Sequence, residues 1–172
     1  MVKIIPDACF LIALRDCRRL GLLSKVASAL SWELVVCEAA YAESTEKIAL
    51  SLGIKKMVSD SNLRVQQPIS EHVLKMRARY PKLGSGELES LAYAVHCKEE
   101  TGDNPIVISD DQRARKTAKD LGVPTISMLD FLRKAHELGI LTTPELRKLV
   151  PELSQHMWIT EKLIQDFLSS FR

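Results

Sequence analysis

Residues 105–127, PIVISDDQRARKTAKDLGVPTIS, constrain what this chain can fold into more than any other stretch. Ile106-Val107-Ile108 is apolar, β-branched and too short for a helix, so it reads as a buried strand. The run stops at Ser109-Asp110-Asp111, and a basic helical segment follows with Ala114, Ala118 and Leu121 roughly on one face. Gly122 ends that helix, and Val123-Pro124-Thr125-Ile126 opens a second strand. Strand–helix–strand units build parallel sheets, which carry their ligands just beyond the carboxyl ends of the strands. Two adjacent acids stand at that place.

The rest of the chain repeats the alternation. Val2–Pro6 reads as a strand ending at Asp7, and Ala8–Asp16 and Leu20–Leu30 have helical spacing. Glu33–Cys37 reads as the next strand, and the Ala-rich residues 38–52 as one helix closed by Gly53. Residues 63–67 alternate like a short strand, and residues 70–80 and 87–100 read as helices separated by Gly84-Ser85-Gly86. After Ile126 the pattern becomes purely helical, over residues 128–138, 144–150 and 160–171. The expected fold is a three-layer α/β/α sandwich around a central parallel sheet, over residues 1–135, with residues 136–172 as a C-terminal helical extension packed on it.

Composition excludes several classes. Charged residues interrupt every apolar stretch well short of the ~20 residues a membrane span needs, and no secretory leader precedes the first strand, so a cytoplasmic protein is expected. Cys9, Cys17, Cys37 and Cys97 form no C-x-x-C, and no histidine stands at zinc-finger spacing from them. They read as buried free thiols, and His72, His96, His136 and His156 as isolated residues. There is neither a Walker-type phosphate loop nor a dinucleotide loop. A net charge of +2 implies no nucleic acid by itself, but basic residues cluster at Arg15/Arg18/Arg19, Lys75/Arg77/Arg79/Lys82 and Arg113/Arg115/Lys116/Lys119.

In a parallel sheet Asp7 and Asp110/Asp111 share one rim if their strands are neighbours. Glu43 and Glu87, on helices that follow and precede these strands, are candidates to join them. Each acid also has a plainer reading. Asp7 or Asp111 can cap a helix, Glu87 suits a first helical turn, and Glu43 can be a solvated helix acid. Four carboxylates in one cleft repel each other unless a cation lies among them, and oxygen-only ligands suit Mg²⁺ or Mn²⁺.

Asp7 after the first strand, Glu43 in VVCEAAYAE, Glu87 in LGSGELESLAYA and the ISDD strand end together resemble the PIN domain, in particular VapC-type ribonucleases of toxin–antitoxin pairs. The tail, with Trp158-Ile159, resembles the C-terminal extension of one branch of PIN-like proteins. The resemblance implies cleavage of single-stranded or structured RNA with Mg²⁺ or Mn²⁺ held by Asp7, Glu43, Glu87 and the Asp110/Asp111 pair. It implies a supporting role for Ser109, and as partners RNA, an antitoxin protein and a second copy in a homodimer. The family pattern favours Asp111 over Asp110 and Glu87 over Glu89, though helical geometry alone leaves both pairs open. Arg113 and Arg115, just after the acids, are candidates to hold RNA phosphates. The competing readings are a PIN-fold binding or scaffold module without catalysis and a receiver-like phosphate-binding domain. A receiver, however, carries its acid pair after the first strand, not late in the chain.

Overall fold

The N-terminal strand, β1 (Val2–Pro6), is the centre of the sheet in the computed structural model, which describes residues 1–171 apart from the side chains of Ile48 and Ala49. On one side β1 pairs with β2 (Glu33–Cys37), which pairs with β3 (Arg64–Gln66). On the other it pairs with β4 (Asn104–Ile108), which pairs with β5 (Thr125–Ile126). All pairings are parallel and the order is β3-β2-β1-β4-β5. The chain therefore reverses its direction of winding between β1 and β4, which opens a crevice at their carboxyl ends.

Side chains alternate across the sheet and feed two cores. Ile4, Leu34, Val36 and Ile108 face one side. There they meet helices α1 (Ala8–Asp16) and α2 (Leu20–Leu30) and, from the tail, α8 (Met128–Glu137), α9 (Thr143–Leu153) and α10 (Glu161–Ser169). Ile5, Val35, Cys37 and Val107 face the other. They meet α5 (Ser70–Arg79), α6 (Ser85–His96) and α7 (Gln112–Asp120). The result is the expected three-layer α/β/α sandwich. Tail and sheet domain share one apolar core: Ile164, Phe167 and Phe171 belong to the same cluster as Ile4 and Phe10, and Phe10 meets Phe131 edge-on at 5.1 Å.

Residues 38–52 are not one helix. They divide into α3 (Glu38–Thr45) and α4 (Ile48–Ser59), with Lys47 extended at φ −81° and ψ 94°. The carbonyl of Ser44, which a continuing helix would bond to residue 48, instead accepts from the buried Arg15 guanidinium at 2.7 Å. Gly53 does not stop the helix but lies inside α4, where an added Cβ would come within 2.9 Å of Leu20 Cδ1. The helix expected over residues 87–100 begins earlier, at Ser85, and its last turn, Cys97–Thr101, widens into a π-helical turn. Pro151 is also inside a helix, because α9 continues to the buried Leu153. Among the described residues no helix is long and apolar enough to cross a membrane.

Candidate active site

The β1–β4 register sets the first part of the site. Pro6 pairs with Ile108, and the Asp7 N–H extends the ladder by donating to the Ile108 carbonyl at 3.0 Å, so Asp7 and Ser109 leave the sheet side by side. Asp7 caps α1, its Oδ1 accepting from Phe10 N–H at 2.7 Å, and the hydroxyl of the buried Ser109 beside it favours its charged form. Burial nonetheless pushes the Asp7 carboxyl up to about 6, against an ordinary 3.8, and the nearby charges of Asp110 and Glu87 push the same way. One side chain thus caps α1 and lines the cleft.

Asp110 and Asp111 divide the work of the doublet. Asp110 Oδ2 accepts from Met128 N–H at 2.9 Å, tying the end of β4 to the start of α8, and burial raises its pKa. Asp111 caps α7 through Ala114 N–H at 2.8 Å, while its own N–H donates to Ser109 Oγ at 3.2 Å. Glu87, in the first turn of α6, reaches back to Gly84 N–H at 3.0 Å. Glu89 turns elsewhere and accepts from Ala39 N–H at 2.9 Å, at the start of α3. The geometry puts Glu87, not Glu89, with the other acids.

Glu43 arrives from α3, which crosses α6 closely because Gly86 has no side chain. A Cβ there would lie 3.2 Å from Glu43 Oε1 and 3.3 Å from the Ala40 backbone. Asp7, Glu43, Glu87, Asp110 and Asp111 all line one cleft of about 570 Å³. A depression of about 610 Å³ at the amino end of β2 is slightly larger, but it gathers no such set of acids. Chemistry, not size, singles out the cleft.

Among the described residues none of these five carboxylates has a Lys, Arg or His nitrogen within 4.0 Å, whereas Asp16, Glu33 and Asp103 elsewhere are all ion-paired. The five carboxylates offer only oxygen and, among the described residues, form no ion pair, which fits a hard divalent cation. No three of the five bring carboxylate oxygens within 4.8 Å of one another. Like charges repel, and the free lone pairs of Glu87, Asp110 and Asp111 are drawn to backbone N–H groups instead.

The basic candidates separate. Arg113 lines the cleft and also the adjoining groove with Arg79, Lys82 and Lys116. Arg115 does not reach the cleft; it lies with Lys116 and Lys119 in a shallow depression by β5, close enough to lower the pKa of Asp110. Arg15, grouped by sequence with Arg18 and Arg19, is buried against Asp16 and Ser44 and is no phosphate ligand.

Four cleft residues carry no local sequence signal for the site. Cys9 is exposed at the cleft, not buried as expected, and partial desolvation of its sulfur together with the charges of Asp7, Glu43, Glu87 and Asp111 raises its thiol pKa. His156, Met157 and Trp158 come from the α9–α10 connection, and Trp158 is fully exposed at the rim. Only the fold brings them here.

No curated protein matches the sequence. The order of acid-bearing junctions, the parallel sheet and the cleft agree with what the family comparison finds. The sequence matches the PIN domain over residues 3–172, tail included, and the chain therefore belongs to the PIN domain family, whose members are generally nucleases.

Proposed function

We propose that this protein is a Mg²⁺- or Mn²⁺-dependent endoribonuclease acting on single-stranded or looped RNA, and the toxin of a toxin–antitoxin pair. The observation that carries the reading is the set of five carboxylates in one cleft with no cationic partner. Asp7, Glu43, Glu87 and Asp111 hold the ion or ions, and Asp110 supports them from the α8 side. Bound divalent ions supply an activated water and neutralise charge on the scissile phosphodiester.

The protein's own groups do the positioning. Phe10 N–H fixes the Asp7 carboxylate, and Ser109 beside it favours its charged form. Arg113, at the junction of cleft and basic groove, binds a phosphate next to the scissile one. Trp158 offers an open ring face at the rim, on which an unpaired base stacks; a paired base has no free face to offer, which favours single strands and loops.

The apolar sides of α2 and α10 are spent on this chain's own core. Leu50 and Leu52 on α4, 48% and 71% exposed, are the surface we assign to the antitoxin or to a second copy. The deciding experiment is incubation of labelled RNAs with the protein and Mg²⁺ or Mn²⁺, with EDTA and Asp7→Asn controls. Cleavage that depends on metal and on Asp7 supports the reading; binding without cleavage of any RNA returns the protein to the role of a non-catalytic module.

A further inference from the structure

The hairpin of α5 and α6 brings together, at the end remote from the cleft, side chains that look isolated in sequence. His72 is in the first turn of α5, His96 ends α6, and Glu100 lies in the π-helical turn that follows. His72 Nε2 is 3.1 Å from Glu100 Oε1, and His96 Nδ1 is 3.2 Å from Glu100 Oε2. Candidate ligand atoms of the three residues all lie within 4.8 Å of one another, the one such group among the described residues. The two rings meet edge to face, with centroids 5.4 Å apart at 81°, so their nitrogens approach the carboxylate from different directions.

An ordinary histidine–carboxylate pair does not account for this arrangement. An N–H that pairs with a carboxylate points along the line to the oxygen. His96 Nδ1 is buried and has no aligned hydrogen-bond partner, in spite of its 3.2 Å approach to Glu100. Nor is the carboxylate held by a nearby cation: Lys75, one turn from His72, is committed to Glu71 at 2.6 Å. Atoms that bind a common metal behave in the observed way, converging on a point between them. In a tetrahedral zinc site, with bonds of about 2.0–2.2 Å, neighbouring donors are about 3.3–3.5 Å apart. The approaches of 3.1 and 3.2 Å are to different oxygens of Glu100, and one donor atom from each of the three residues lies within 4.8 Å of the others, so side-chain rotation of the carboxylate and rings has to close that spacing. π-Helical turns are rare and often mark functional sites, and here the turn starts one residue after His96 and carries Glu100.

We propose that His72, His96 and Glu100 form a second metal site, for a zinc-class divalent ion, with the fourth position open to water. Two imidazoles and one carboxylate select a borderline ion, unlike the five carboxylates of the cleft. Nine residues of α6, about 13 Å of helix, separate His96 from Glu87, so the two sites are distinct. The ion fastens the start of α5 to the end of α6.

The test uses the full-length chain, stripped with EDTA and dialysed, then titrated with Co²⁺ and separately with Zn²⁺. Wild type and Asp7→Asn should show the intense visible absorption of four-coordinate Co²⁺, and Zn²⁺ should raise the Tm of both. Glu100→Gln and His72→Gln should lose the band, and in the Asp7→Asn background, which removes a cleft acid, they should also lose the Tm shift. The Glu100 side chain is half exposed, so its amide variant keeps the fold, which circular dichroism verifies. Absence of the band in wild type, its persistence in both variants, or its loss in Asp7→Asn alone would overturn the proposal. None of these readouts depends on nuclease activity.

Discussion

Asp7 and Ser109, 102 positions apart in sequence, leave adjacent strands side by side, and the serine hydroxyl favours the charged form of the aspartate carboxylate. That influence offsets only part of the cost of burying Asp7, whose pKa is pushed up to about 6. The sign follows from proton counting. Between about pH 4 and 6 the unfolded chain has released this proton and the folded chain keeps it, so rising pH lowers stability, by about 3 kcal/mol in total. Asp7→Asn keeps the helix cap and removes the titration. In EDTA the variant should exceed wild type in stability at pH 8 and converge with it near pH 4, measured by urea unfolding. Parallel curves across that window would remove burial of Asp7 charge as the cause.

Glu87 and Glu89 should behave oppositely. Glu87→Gln is expected to cut RNA cleavage roughly 100- to 1,000-fold with little change in Tm. Glu89→Ala should lower stability by about 1 kcal/mol, because Ala39 N–H at the start of α3 loses its acceptor, and leave cleavage within a few-fold. Kinetics and thermal melts on the two variants check both halves, and an exchange of phenotypes would show that Glu89 is the cleft acid.

Gly86→Ala tests the close crossing of α3 and α6. Alanine is the better helix former, so a gain is expected if the contact is loose. Against that, the new methyl would meet the Ala40 backbone at 3.3 Å and Glu43 Oε1 at 3.2 Å. We expect a net loss of about 1–2 kcal/mol and a larger fall in activity than in stability, since Glu43 is displaced. A more stable and fully active variant would mean that the crossing has room to give.

The RNA-facing groups are separable by salt and by fluorescence. In an Asp7→Asn background, Arg113→Ala should reduce the salt slope of RNA affinity by about one, and Arg115→Ala should leave it unchanged. Trp158→Ala should cost about 1–3 kcal/mol of affinity for single strands. The chain has two tryptophans, so Trp32→Phe leaves Trp158 as the reporter, and its quenching by an unstructured oligonucleotide is the direct measure of stacking. Unquenched Trp158 emission at saturating RNA would exclude it as a platform.

How much of this was legible in the sequence depends on the length scale of each cause. Strand ends and their acids are local signals, so Asp7, Asp110 and Asp111 were placed correctly from pattern alone. Local geometry leaves the Asp110/Asp111 and Glu87/Glu89 choices open, because they turn on which backbone N–H each carboxylate meets. The break between α3 and α4 was hidden for a similar reason: Arg15, on another helix, takes the carbonyl that continuation would need. Cys9 and Trp158 reach the cleft only through packing of α1 and the tail, and no spacing rule encodes that. His72 and His96 looked unconnected because the hairpin turn joining their helices fixes their distance, not any motif.

The position of β1 at the middle of the sheet has a consequence for the order of assembly. As the chain emerges during synthesis β1 can pair early with β2, but its other edge must wait for β4, about a hundred residues later; the contact of Met1 with Asp103 spans 102 positions. Pairings of such long range are slow to form. Phe167 and Phe171, in the same core as Phe10, come later still. A nascent chain thus carries Asp7 long before it carries a cleft, because Trp158, at the rim, follows Asp7 by 151 positions (158 − 7).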